Sequence, residues 1–483
     1  MSIVTDLDLR ARLAEVASIT REGLEVHDEI AMRGELMDEL AFEAVFNADA
    51  GLRDAARWII WSASQALGCG SASIHELYRA RGRGEVEPTR FTVPAINVRA
   101  ATYLTARQAF AAAVERDAGT VIFEIAKSEM AYTDQRPAEY AAVILAAALR
   151  QGWHGPVFLQ GDHFQFNATK WASDPEGEMA GIMDLTREAI GAGFLNIDID
   201  SSTLVDLSRP TVADQQRVNA ENTAAVTRLI RDLQPEGVTI SVGGEIGEVG
   251  KSNSTEDELR AYLDGYLALL GAQVEPVSKV SIQTGTSHGG VPLPDGSMAE
   301  VSIDFDTLRR LSTVARDAYG MAGCVQHGAS TLPEEAFHHF PQNGAAEIHL
   351  ATGFQNILYD GGGLPDDLRA EMMAWTLANC ADERKAGETD EQFLYKTRKK
   401  AIGPFKRRLW TLPPEAAGEV GRNLRAKFGQ LFDELGIAGT REDVRRLVTS
   451  VPVALPLPAA LGGGESAAVT AGASVFEDDG SGE

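Results

Sequence analysis

Eight apolar, β-branched segments alternate with helical ones through the middle of this 483-residue chain, and that alternation predicts a (β/α)8 TIM barrel. Three observations carry the expectation. The strand candidates come in even succession: "PAINVR" from Pro94, "VIFEIA" from Val121, "VFLQGDH" from Val157, "FLNIDID" from Phe194, "TISVGGEIG" from Thr239, "VSIQTGTSH" from Val280, "CVQHGAS" from Cys324 and "EIHLATGF" from Glu347. Alanine- and leucine-rich helical segments such as "PAEYAAVILAAALRQG" and "TAAVTRLIRDLQ" separate them, which suits parallel strands with crossover helices. Eight units in roughly 270 residues match the ~250-residue size of such barrels. A doubly wound open sheet ranks second, because no G-x-G-x-x-G turn follows any strand.

The flanks read differently. Residues 1–88 read as an N-terminal extension of amphipathic helices with no strand candidate, closed by the breaker "GRGEVEPTR". The barrel is expected over 89–365 and a second helical extension over 366–450. Residues 451–483, low in complexity and acidic at the end, read as a disordered tail. A net charge of −26 argues against non-specific binding to nucleic acid or an anionic membrane surface. Three cysteines without paired spacing, no apolar leader and no membrane-length apolar run lead to the expectation of a cytoplasmic protein without disulfides.

In a barrel the reactive groups sit at the C-terminal ends of the strands. Those ends read Asn97, Glu124, Asp162 with His163, Asp198 with Asp200, Glu245, His288, His327, and His349 with Thr352. A single histidine there is ordinarily a hydrogen-bonded structural residue, and an acidic strand end is often a helix cap. His163, His288 and His327, however, belong to three strands that close onto one rim. Three imidazoles converging on a point form the ligand set of a catalytic Zn2+, which keeps one position open and can polarise a carbonyl.

The motifs "FTVPAINV", "QGDH", "NIDIDSS", "GGEIGEVG", "GTSHGG", "QHGAST-LP" and "GAAEIHLATGFQN", in that order over about residues 90–365, resemble those of the class II, metal-dependent fructose-bisphosphate aldolases. The resemblance implies reversible aldol cleavage of a ketose bisphosphate, fructose 1,6-bisphosphate first, to dihydroxyacetone phosphate and an aldehyde phosphate. It places the zinc ligands at His163, His288 and His327, with Glu245 able to approach the metal and Asp200 near a secondary metal position. It makes Asp162 the acid/base at the C4 hydroxyl. Gly289, Gly328, Ser330 and Thr352 fall on positions that hold the substrate phosphate, and Asn97 is the further candidate for substrate contact. A homo-oligomer with a small sugar phosphate as its ligand is the implied assembly.

The chain departs from the family pattern at several places. The proton-abstracting glutamate belongs to the loop after "EIGEVG", where Glu248 and Glu256 are both candidates and Asn253 takes the gapless position. The last strand, usually Asn-x-Asp-Thr, reads His349, Leu350, Ala351, Thr352, and Ala329 and Thr331 replace two glycines of "HGGSG". These changes bear on the substrate more than on the metal, so tagatose bisphosphate or another sugar phosphate is the alternative. A Schiff-base aldolase would need a desolvated, neutral lysine; Lys279 lies at a strand start and Lys127 follows the second strand. A non-catalytic barrel supporting a partner aldolase is the remaining alternative, with the basic stretch Arg398–Arg408 as its docking surface, although a solvated face is the default for a charge run.

Overall fold

The computed structural model describes residues 3, 5–20, 23–247, 252–285, 303–329 and 332–464. All eight expected barrel strands form: β3 (Val93–Asn97), β4 (Ile122–Ala126), β5 (Phe158–Gln165), β6 (Asn196–Asp200), β7 (Ser241–Gly247), β8 (Lys279–Ile282), β9 (Cys324–Gln326) and β10 (Glu347–Leu350). They pair in parallel in sequence order, and β10 closes on β3, giving a (β/α)8 barrel with additional helices. Every residue of β3, β4 and β6 is buried, as expected of strands covered by helices outside and side chains inside.

The first 88 residues contain an antiparallel hairpin that a helical reading misses, β1 (Ala17–Thr20) and β2 (Gly23–Val26). Ile19, Thr20 and Val26 are β-branched and Gly23 has φ +131°, so the segment disfavours helix locally. The helix Ala50–Ala66 carries the main apolar face of this region, burying Trp58, Ile59 and Trp61. Further on, Ser71 bridges to Val157 and the Ile74 amide donates to Asn196 Oδ1 at 2.9 Å. The helix His75–Gly82 then brings Tyr78, fully buried, against Glu347 on β10. The N-terminal region thus seals the end of the barrel opposite the reactive rim.

On the other side, the helix Pro414–Glu434 packs against Thr102–Glu115. Residues 451–464 are not the disordered tail expected from composition. Residues 451–458 run extended across Ala50–Ala66 and lead into a 3-10 turn at Ala459–Leu461; Trp61 Nε1 donates to Val453 O at 2.8 Å and Trp58 Nε1 to Leu455 O at 3.1 Å. Prolines at 452, 456 and 458 preset an extended backbone, and two indole N–H donors fix it. The rest of the expected tail, 465–483, lies outside the described residues.

The basic stretch is folded onto its own chain. Arg398 bonds Asp360 at 2.8 and 2.6 Å and lies over the rings of Tyr359 and Tyr395. Lys400 pairs with Glu383, Lys406 with Glu139 and Arg408 with Glu371, while Arg407 covers Phe46. Most of these cations hold the C-terminal helices in place.

Candidate metal and active site

The site begins with an irregularity in β5. Opposite β6, Gly161 pairs with Ile197 and Phe164 with Ile199, so two residues, Asp162 and His163, face the single Asp198. This is a bulge, and His163 takes φ +38°, a left-handed conformation that costs a non-glycine residue about 1 kcal/mol or more. Strict alternation would send one of the two side chains out of the barrel. The bulge turns both inward. Gly161 makes it possible, since a Cβ there would lie 2.5 Å from the buried Phe164 ring.

His163 is held by one edge. Its Nδ1 lies 3.1 Å from Asp200 Oδ2 and 3.1 Å from Glu245 Oε2. Asp200 is itself fixed by Gln165 Nε2 at 2.6 Å and by the amide and hydroxyl of Ser202 at 3.0 and 2.7 Å. The other nitrogen, Nε2, lies 2.8 Å from His327 Nδ1. His327 is anchored in the same manner, with Nε2 2.9 Å from Ser281 Oγ. Each ring therefore has its outer nitrogen bound to the protein and its inner nitrogen turned toward the other. Ligand atoms of Asp162, His163 and His327, one from each, lie within 4.8 Å of one another, as do ligand atoms of His163, Asp200 and Glu245.

Asp162 is fully buried and clamped on both oxygens: Asn97 Nδ2 donates to Oδ2 at 2.8 Å, and His349 Nδ1 lies 3.0 Å from Oδ1. Asn97 also donates to Glu129 Oε2 at 3.0 Å, and Glu129 holds Arg99. Arg99 in turn reaches Thr352 Oγ1 at 3.3 Å, where the helix Thr352–Asp360 begins. Gly328, directly after His327, is buried with φ +67°, a turn that glycine adopts without strain.

The electrostatics follow from burial set against close charges. Burial alone would raise Asp162, but the imidazoles of His163, His349 and His327 hold it well below the usual carboxylate range. Burial opposes charge on His163 and His349, yet Asp162 and Glu245 around the first, and Glu124, Asp162 and Glu347 around the second, push both well above the ordinary histidine range. Asp200 resists burial through its hydrogen bonds from His163, Ser202 and Gln165 and falls to about 2. Burial and the charge of Asp200 together push Glu245 up to about 7.

Beneath this layer lies a second one that the motifs did not single out. Lys279 Nζ donates to Asp198 Oδ2 at 2.8 Å and Gln160 Oε1 at 2.9 Å and pairs with Glu347. Burial opposes its charge, but Asp198 and Glu347 raise its pKa above the ordinary lysine value. A lysine held charged between carboxylates is the opposite of a Schiff-base nucleophile. Lys127 is likewise occupied, by Glu178 Oε1 at 3.1 Å and Gln165 O at 2.9 Å. The inner layer was legible in part: Glu347 and His349, and Gln160 and Asp162, stand two apart on strands that line a barrel.

Of the sequence-predicted residues, Asp162, His163, His327, Asp200, Glu245 and Asn97 are brought together. Asp200 and Glu245 stand on the Nδ1 edge of His163, away from His327. Glu256 is placed differently from a site base: it opens the helix Glu256–Leu270 and its carboxylate pairs with Arg260 along that helix. Asn253 bonds Asp304 at 3.2 Å. His288, Gly289, Glu248, Ser330 and Thr331 lie outside the described residues.

No curated protein matches the chain. Among solved structures, fructose-bisphosphate aldolase from Campylobacter jejuni shares 16% identity over 78% of this chain and 98% of its own, with a TM-score of 0.47. The YdjI aldolase from Escherichia coli K12 shares 14% over 77% and 99%, with a TM-score of 0.45. Fructuronate-tagaturonate epimerase UxaE from Cohnella laeviribosi shares 13% over 72% and 82%, with a TM-score of 0.46. The model of the family described as fructose-bisphosphate aldolase class II matches residues 85–406, well over half of the sequence. This chain belongs to the class II fructose-bisphosphate aldolase family.

Proposed function

We propose that the protein is a zinc-dependent aldolase that reversibly cleaves a ketose bisphosphate, fructose 1,6-bisphosphate first and tagatose bisphosphate or another sugar phosphate as the alternative, giving dihydroxyacetone phosphate and an aldehyde phosphate. One observation carries the reading. His163 Nε2 and His327 Nδ1 face each other at 2.8 Å while Asp200, Glu245 and Ser281 hold the opposite nitrogens. Metal-binding histidines are oriented in this way, by a partner on the nitrogen that does not bind the ion. The donor set, imidazole nitrogens with His288 as the third, suits Zn2+, whose binding displaces their protons, and the carboxylates around it suit other divalent ions as well.

Bound there, the ion supplies Lewis acidity to a substrate carbonyl. The chain's own groups do the rest. Asp162, kept ionised by its imidazole neighbours, takes the proton from the C4 hydroxyl as the C3–C4 bond breaks and returns it in the reverse reaction. Glu248 is the candidate for the C3 proton, since Glu256 is engaged with Arg260. Gly289, Gly328, Ser330 and Thr352 are the candidates for backbone N–H and hydroxyl contacts to the phosphate. The three cysteines are free and buried, which fits an enzyme of the reducing cytoplasm.

The test is cleavage of a panel of ketose phosphates by purified protein, before and after chelation and after zinc is restored. Activity should vanish with the metal and return with it, and His327→Ala should lose stoichiometric zinc. Undiminished cleavage by metal-free protein, or full zinc occupancy in His327→Ala, would overturn the proposal.

A further inference from the structure

We propose that His349 is the positioning residue for Asp162, tying it to the buried ion pair of the barrel interior and making no contact with substrate; this rests on the reading of Asp162 as the acid/base. His349 is fully buried, as is Glu347 two residues before it on β10. Its Nδ1 lies 3.0 Å from Asp162 Oδ1 and its Nε2 2.7 Å from Glu347 Oε1. Both ring nitrogens are thus spent on carboxylates, and nothing remains to bond a sugar hydroxyl. Its far anchor is rigid, because Glu347 is held by Gln160 Nε2 at 2.8 Å, by Lys279 and by Tyr78.

The geometry also explains why an imidazole stands here. An imidazole presents its two nitrogens on well-separated edges, whereas an amide has a single nitrogen. The ring spans from Asp162 above to Glu347 below through two separate nitrogens. Its centroid lies 4.1 Å from that of His327, so it cannot swing aside without displacing a residue of the metal site. Asn97 on β3 holds the second Asp162 oxygen. Two donors, from the adjacent strands β3 and β10, therefore set the plane of the carboxylate. Losing one frees that plane, and a misplacement of about 1 Å at a reacting group can cost roughly 10²-fold in rate.

A histidine that only filled the core would affect stability and leave the acid/base alone. The distinguishing experiment is a double-mutant cycle in the zinc-loaded protein, with fructose 1,6-bisphosphate as substrate. His349→Gln should lose roughly 10²-fold in kcat with little change in KM and keep one zinc per chain. Asp162→Asn should lose ~10²–10⁴-fold. The double variant should be no slower than Asp162→Asn alone, because His349 acts through a carboxylate that is already gone. Multiplying losses would overturn the role of His349 and leave the acid/base standing. Unimpaired turnover in Asp162→Asn would instead overturn the reading of Asp162.

A second measurement needs no turnover. In protein labelled with 15N-histidine, the resonance pair that disappears in His349→Gln belongs to His349. Asp162→Asn should shift its Nδ1 signal far more than its Nε2 signal, and Glu347→Gln the reverse. A Nδ1 signal indifferent to Asp162→Asn would sink the proposal whatever substrate the enzyme takes.

Discussion

Replacing Lys279 by methionine isolates the charge at the centre of the barrel, because methionine retains most of the stem and removes only the ammonium. Lys279 is 1% exposed and serves Asp198, Gln160 and Glu347 at once. Without it, Asp198 and Glu347 remain as neighbouring buried carboxylates that share only the His349 ring. Removing one partner of a buried ion pair typically costs about 3–5 kcal/mol, a large share of the ~5–15 kcal/mol that holds a typical domain folded. The pH dependence has a defined sign. The raised pKa of Lys279 means that its contribution is complete below the ordinary lysine value of about 10.4 and is lost only as pH rises through the raised one. At pH 7 the full gap should appear. Glu347, held low chiefly by Lys279, should titrate higher in the variant, so the gap should narrow as pH falls through the carboxylate range near about 4. Urea unfolding of both proteins at several pH values measures it. The double variant Lys279→Met/Glu347→Gln should recover part of the loss. A gap under about 1 kcal/mol at pH 7, or one that does not narrow on acidification, would refute the account of this lysine as the interior counter-ion.

Three other variants have defined outcomes. Asp200, depressed to about 2, contributes about 2 kcal/mol to metal-free protein; the contribution is present above pH ~4 and fades as pH falls toward 2, so Asp200→Asn should close on the parent in urea unfolding below that range. The same variant should bind zinc ~10–100-fold more weakly in a metal titration, and unchanged affinity would mean that the carboxylate does not orient His163. Gly161→Ala puts a Cβ 2.5 Å from Phe164 and should cost about 1–3 kcal/mol while weakening zinc, with unaltered values of both excluding a strict role for the bulge. Deleting residues 451–483 should expose the indoles of Trp58 and Trp61 that now donate to Leu455 O and Val453 O, read as a red shift in tryptophan emission; an emission spectrum like the parent's would place these rings outside the segment's cover.

The sequence by itself determined the barrel, its eight strands and which strand ends carry polar and titratable groups, because these follow from local periodicity. Buried parallel strands need continuous apolar runs, and a polar residue at the end of such a run has few places to go but the rim. The hairpin at Ala17–Val26 escaped because two four-residue strands are too short to show a period against helical flanks. The segment 451–464 escaped because its order comes from two tryptophans about 400 residues earlier rather than from its own composition. The same distinction divides the site. That Asp162 and His163 are candidate site residues was legible in "QGDH"; that both point inward was not, since adjacent strand residues face opposite ways unless a bulge intervenes, and the bulge depends on pairing with β6. His349 was visible as a departure from a pattern, but its partners come from β5 and its own strand across the barrel interior. Only closure of β10 against β3 brings that ring between Asp162 and Glu347, where low polarity makes each hydrogen bond to charge worth keeping.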